Sequence, residues 1–148
     1  MENFKPQLKT IAVQSVFDDI KNHFSSEESV RISFEDRQNT TLFTDENYLK
    51  TILRNLTGNA IKALEKTQNA SIIWKAWNEN GQNYLSVSDN GPGGSQEKFK
   101  ALYDENEVVG IQSGLGLHLV RDLAKAIDCN IVVDSKPNEG TTFILSFS

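Results

Sequence analysis

Sulfur chemistry is nearly absent from this sequence. The only cysteine among 148 residues is Cys129, which excludes an internal disulfide and leaves no thiol cluster for a zinc site. Its setting in the run CNIVV predicts a small buried core residue and not a reactive thiol. Long hydrophobic runs are missing as well. No stretch approaches the roughly 20 apolar residues that span a bilayer, and the opening MENFKPQLKT lacks the hydrophobic region of a secretory signal. The expectation is a soluble, cytoplasmic segment with no direct membrane contact of its own. Positive charge is not in excess either. Fifteen Lys and Arg against 20 Asp and Glu leave a net charge of -5, so the footprint of a general nucleic-acid binder is missing, though cations remain for local anion contacts. Repeats and low-complexity tracts are absent. The length suits one buried core and is short for two, so residues 1–148 are read as a single domain.

What the chain does have is regular hydrophobic spacing. After a short segment from Leu8 to Val13, residues Val16, Phe17, Ile20 and Phe24 fit an amphipathic helix that Ser25 and Ser26 close. Val30, Ile32 and Phe34 then alternate as in a half-buried strand, and TTLFT reads as a short second one. A long helix over 45–66 follows, with Thr44 or Asp45 as its cap. The run ASIIWKAW alternates again, and Asn80-Gly81 marks a hairpin turn before a strand over Tyr84 to Asp89. Residues 94–113 are polar with scattered apolar side chains and end in glycines, which predicts a mobile lid. Leu115, Leu119, Val120, Leu123, Ala124 and Ile127 mark a second long core-facing helix. Strands over 130–135 and 141–147 close the chain around a tight turn at Pro137 to Gly140, with Phe143, Leu145 and Phe147 on one face. This order predicts an α+β fold, a two-layer α/β sandwich whose mixed, mostly antiparallel sheet is covered on one face by helices.

The long helix carries two patterns at once. Leu49, Ile52, Leu53, Leu56, Ala60, Ala63 and Leu64 form its apolar stripe, while Asn55, Asn59 and Lys62, at i, i+4 and i+7, make a polar ridge beside it. Asparagine is a poor helix former and Gly58 costs about 1 kcal/mol relative to alanine. Two carboxamides and an ammonium one turn apart offer oxygens to a hard cation and a positive charge to phosphate; a tolerated polar face is the plainer alternative. Asp89 shares the strand face of Leu85 and Val87, which predicts a buried carboxylate in need of donors. The following NGPGG leaves room for a flat ligand, and an Asp before Asn-Gly is equally a common turn initiator. Gly114 to Leu117 opens the second helix, where exposed N–H groups beside glycines make an anion site. The dinucleotide fingerprint, the phosphate loop ending in Gly-Lys-Ser/Thr and the protein-kinase motifs are all absent. Together the ridge, the aspartate and the glycine-led helix suit a nucleoside triphosphate with magnesium.

Four runs in this order, NLTGNAIK (Asn55–Lys62), DNGPG (Asp89–Gly93), GLGL (Gly114–Leu117) and GTTF (Gly140–Phe143), resemble the N-box, two glycine boxes and last strand motif of the GHKL, or Bergerat-fold, ATP-binding superfamily. The chain looks like the catalytic ATP-binding domain of a sensor histidine kinase, over roughly residues 5–147. The resemblance implies ATP and Mg²⁺ as ligands. Asn55 would hold Mg²⁺, Asn59 and Lys62 would approach the phosphates, and Asp89 would accept from the adenine amine. Gly91 and Gly93 would make room for the base, Gly114 and Gly116 would bring backbone N–H groups to the phosphates, and Leu115, Leu117 and Thr142 would complete the nucleotide contacts. Hydrolysing relatives such as DNA gyrase carry a Glu at the Asn55 position, as do the anti-sigma-factor Ser kinases. An amide cannot act as a base near neutral pH, so the resemblance implies slow hydrolysis and transfer of the γ-phosphate to a histidine. That histidine would lie on a dimerisation domain absent from this chain, and a response regulator receiver domain would be the next partner. His23 and His118 are outside any phosphoacceptor motif. Two positions depart from the family pattern: Ala63 stands where an aromatic residue often stacks on adenine, and Gln112 where a further glycine is common. They support the alternative of a degenerate member serving as a nucleotide-sensing or protein-interaction module.

Overall fold

The computed structural model describes residues 5–94, 99 and 116–147. The chain opens with β1 (Lys9–Ala12), which turns directly into α1 (Val13–His23); the segment before the first helix is therefore a strand. Ile11 is buried with Val13, Val16, Phe17 and Ile20, and β1 finds its partner in β3 (Thr41–Thr44), antiparallel in a separate two-stranded ribbon. Between them lies β2 (Arg31–Glu35). The central helix α2 runs over Glu46–Ala63, a turn shorter than the apolar spacing predicts. Asp45 is its cap, accepting from the Tyr48 N–H at 3.0 Å and, through its other oxygen, from the Gln7 N–H at 2.7 Å. A side-chain oxygen at this position satisfies one of the orphan donors of the first turn.

The main sheet has the order β2-β4-β5-β7-β6, with β4 (Ser71–Glu79), β5 (Gln82–Asp89), β6 (Cys129–Ser135) and β7 (Thr141–Phe147). The β2–β4 pair is parallel and the other pairs are antiparallel, giving the mixed, mostly antiparallel sheet expected from the sequence. Asn80 and Gly81 both take positive φ, 55° and 82°, as a tight two-residue hairpin requires. The helices, including α3 (Leu117–Ala126), lie on one face. Phe17 of α1 packs its ring 5.2 Å from Phe34 and 6.1 Å from Trp74. Trp74 also reaches α2, its Nε1 donating to the Thr57 hydroxyl at 2.9 Å, while Thr57 donates to the Leu53 carbonyl at 2.7 Å. That chain satisfies two polar groups in the buried core, where an unpaired one would cost about 1–3 kcal/mol.

Helix α2 lies between the other two. Arg54, on one flank, meets Asp19 of α1 through two hydrogen bonds, 2.9 Å and 2.7 Å. Asn55, about 100° further round the helix, meets the start of α3. Cys129 is buried, as its apolar run predicts, and burial pushes its thiol up to about 12. Among the described residues no helix is long and apolar enough to cross a membrane.

Candidate functional site

A cavity opens between α2, the sheet and the start of α3. Among the described residues its floor and walls are apolar, from Leu56, Val87, Phe99 and Phe143, and its polar groups are few: Asn59, Lys62, Asp89 and Thr141. Pockets for flat organic ligands are built this way, an apolar body with a small number of placed polar groups. Asn59 and Lys62 come from the polar ridge of α2, and Leu117 reaches the same cavity from the first turn of α3.

Asp89 ends β5 on the same face as Val87. It is half-buried, not buried as its strand neighbours suggest, because the cavity opens at its carboxylate. Oδ1 accepts from the Gly91 N–H at 2.9 Å, so the aspartate also shapes the turn that follows it. Turn initiation and a place on the cavity wall therefore belong to one side chain. Gly91 is buried against it: a Cβ there would stand 3.0 Å from Asp89 Oδ1 and 3.3 Å from the Leu64 side chain. Gly93, at φ +65°, meets the carbonyl of Lys136. Glycine is required at that position by conformation and by space together.

Asn55 sits one turn before Asn59 and faces α3. Its Nδ2 donates to the Thr51 carbonyl at 2.9 Å, which fixes the amide plane and leaves Oδ1 turned toward Gly116. Gly116 takes φ +65° as the cap of α3, and a Cβ on it would lie 2.8 Å from Asn55 Oδ1. The ridge of α2 and the glycine-led helix start thus touch. Gly114 and Leu115 lie outside the described residues, as does the expected lid 94–113 apart from Gly94 and Phe99.

Thr142 is not brought to the cavity. It sits on the outer face of the sheet, where its hydroxyl bonds that of Ser88 at 2.9 Å, and its neighbour Thr141 lines the cavity instead. Alternation gives the reason: Phe143, Leu145 and Phe147 define the inner face, so residue 141 shares it and residue 142 cannot. Thr141 is bonded to the buried Ser135 hydroxyl at 2.8 Å. Phe99 was not among the expected site residues. It is buried, edge-on to Phe143 with ring centroids 5.5 Å apart, and it supplies an aromatic wall in the cavity that Ala63 also lines.

Residues 44–148 match the family described as histidine kinase-, DNA gyrase B-, and HSP90-like ATPase. The chain belongs to that family. The match to this ATPase family contains every motif from Asn55 to Phe143 and begins at Thr44, so β1, α1 and β2 lie outside it. Sensor protein RprX of Bacteroides fragilis is 30% identical over 117 residues, covering 73% of this chain and 22% of its own length. The catalytic domain of histidine kinase ThkA superposes with a TM-score of 0.77 at 20% identity, covering 95% of each chain; ThkA has also been solved with response regulator protein TrrA. Full-length ShkA in complex with AMPPNP superposes with a TM-score of 0.79 at 23% identity, covering 97% of this chain and 31% of that one. These structures share the fold of this ATPase domain. The chain spans 22% of the length of RprX and 41% of the length of sensor histidine kinase GraS of Staphylococcus haemolyticus, to which it is 25% identical over 146 residues.

Proposed function

We propose that this chain is the ATP-binding catalytic domain of a sensor histidine kinase, and that it transfers the γ-phosphate of ATP to a histidine on a separate dimerisation domain. The observation that carries the reading is convergence: Asn59, Lys62, Asp89 and Leu117 line one cavity, and Asn55 meets Gly116 one helical turn away. In this reading Asp89 accepts from the adenine amine and the apolar walls hold the ring, with Gly91 and Gly93 keeping the backbone low beneath it. Asn59 and Lys62 approach the phosphates, and Gly114 to Leu117 present the helix start to them. The fit of a cation is supported by Asn55, whose amide is held by Thr51 so that an oxygen and not a nitrogen is presented. Among the described residues no group of three or more His, Cys, Asp or Glu side chains could hold a metal, so Mg²⁺ would take Asn55 and oxygens of the nucleotide. When bound it would offset charge on the phosphates during transfer.

Asn55 also argues for transfer over hydrolysis, since its amide offers no base to activate water. A receiver domain of a response regulator is the proposed acceptor after the histidine, in line with the ThkA–TrrA complex. The test is calorimetric titration with Mg-ADP and with a nonhydrolysable ATP analogue. Saturable heat is expected with both. No heat at millimolar nucleotide would leave the degenerate, protein-interaction reading, for which Ala63 is the supporting residue.

A further inference from the structure

The turn between β6 and β7 lines none of the cavity, and Lys136 to Glu139 are exposed on it. It is nevertheless packed against the backbone that carries Asp89. Gly140, at φ +77°, lies so close to the Asp89 carbonyl oxygen that a Cβ would run into it. A Cβ on Gly93 would run into the Lys136 carbonyl and stand 2.8 Å from that of Gly140. The Asn138 N–H donates to the Pro92 carbonyl. Asp89, Thr141 and Ser135 form one row across β5, β7 and β6, and the hydroxyls of the last two are bonded at 2.8 Å. The main chain of 89–93 is therefore clamped from outside the cavity, while Asp89 Oδ1 is tied to the Gly91 N–H inside it.

We propose that this turn is a positioning element for base selectivity. Gly140 and the Asn138 amide fix the 89–93 backbone and thereby aim the Asp89 carboxylate at the exocyclic amine of a purine. None of the turn lines the cavity, so Gly140 and Asn138 are positioning residues. The inference rests on the nucleotide reading above and adds what sets the direction of its key acceptor.

Gly140→Ala tests it against Gly81→Ala. Gly81 is also a hairpin-turn glycine, at φ +82°, yet a Cβ added there would have nothing within 4 Å. Both changes place alanine in left-handed backbone, and only one of them presses on Asp89. Affinities for ATP and for inosine triphosphate, which has a carbonyl oxygen in place of the amine, are compared by titration. Hydrogen exchange of the Gly91 N–H is followed without nucleotide. Gly140→Ala is expected to lower the ATP-to-inosine-triphosphate preference by about tenfold, the usual scale for a misaligned polar partner, and to speed Gly91 exchange. Gly81→Ala is expected to leave both unchanged. Equal losses for both nucleotides in Gly140→Ala, or unchanged Gly91 exchange, overturn the proposal, because a merely structural role predicts them. If Gly140→Ala does not fold, Asn138→Val at the exposed tip, a β-branched residue that disfavours the left-handed φ of 68° on which the bond from the Asn138 N–H to Pro92 depends, carries the same expectation at about threefold; an unchanged preference there overturns it equally. Wild-type protein that binds ATP no better than inosine triphosphate overturns the base-recognition reading itself, whereas the exchange measurement judges the clamp without nucleotide.

Discussion

Asp89 and the two threonines of β7 show how much a single position decides. The Asp89 carboxylate has one oxygen engaged with the Gly91 N–H and lines the cavity. Asparagine keeps an oxygen for that internal bond, so Asp89→Asn is a change directed at binding. Loss of the charged acceptor should weaken ATP by about 1–3 kcal/mol, read by titration. Unchanged affinity would put the adenine elsewhere. Thr141 and Thr142 make a neighbouring pair of opposite expectation. Thr141→Ala opens the cavity wall and breaks the 2.8 Å bond to Ser135, so ATP affinity should fall; Thr142→Ala removes a 2.9 Å contact with Ser88 on the outer face, so it should not. Both threonines were in view in the run GTTF, and the alternation of Phe143, Leu145 and Phe147 already assigned them to different faces. Phe99 was less legible. Its ring meets Phe143, 44 positions away in the chain, and spacing within one segment carries no signal for such a contact.

At the scale of elements, the pieces with long apolar periods or strong turn chemistry were readable. The stripe of α2, the Asn80-Gly81 hairpin and the strand face of β7 follow from local rules. The strand β1 did not, because its four residues are too few for alternation to show and its stability comes from pairing with β3 some 30 positions on. The end of α2 also falls short of the apolar stripe. Leu64 continues the apolar stripe by burial, yet it lies past the last helical residue, Ala63, in the capping position. Asp45, at the other end, offers a direct test of what holds this element. It accepts from Tyr48 and from Gln7, and so ties the start of α2 to the segment leading into β1. Asp45→Ala should cost about 1–2 kcal/mol in urea unfolding. Serine at the same position should recover part of that loss, through the cap alone. Because the cap is at the far end of α2 from Asn59 and Lys62, nucleotide affinity of the folded protein should be preserved. A matching loss of affinity would mean that the helix moves as a body when its start is loosened.

For the whole molecule, the arrangement of α1 and α3 on opposite flanks of α2 separates the ion pair that helps hold the fold together from the proposed site. The Arg54 flank carries the Asp19 ion pair, and the Arg54 hydrogen bonds hold the Asp19 carboxyl below its usual 3.8 against the opposing effect of burial. A carboxylate whose pKa is depressed by folding adds stability above its unfolded value and loses it as pH falls through the folded one. Asp19→Asn should therefore cost about 0.2–1 kcal/mol near neutral pH, on the scale of partly exposed pairs, and the difference from wild type should vanish in acid below that window. The Asn55 flank, by contrast, meets α3 and the cavity. This division bears on which histidine could receive phosphate. His23 ends α1, beyond α2 from the cavity, with its ring against Phe24 at 4.7 Å. His118 follows Leu117, and since Leu117 faces the cavity, the next residue is turned about 100° away from it. Neither is presented to the phosphate end of the proposed site. The chain alone, incubated with Mg²⁺ and γ-labelled ATP, should consequently bind nucleotide and carry no covalent label, while a separately supplied dimerisation domain with its own histidine should become labelled. Label on the isolated chain would show that one of its own side chains reaches the γ-phosphate. The separation of flanks would then fail as the basis for transfer in trans.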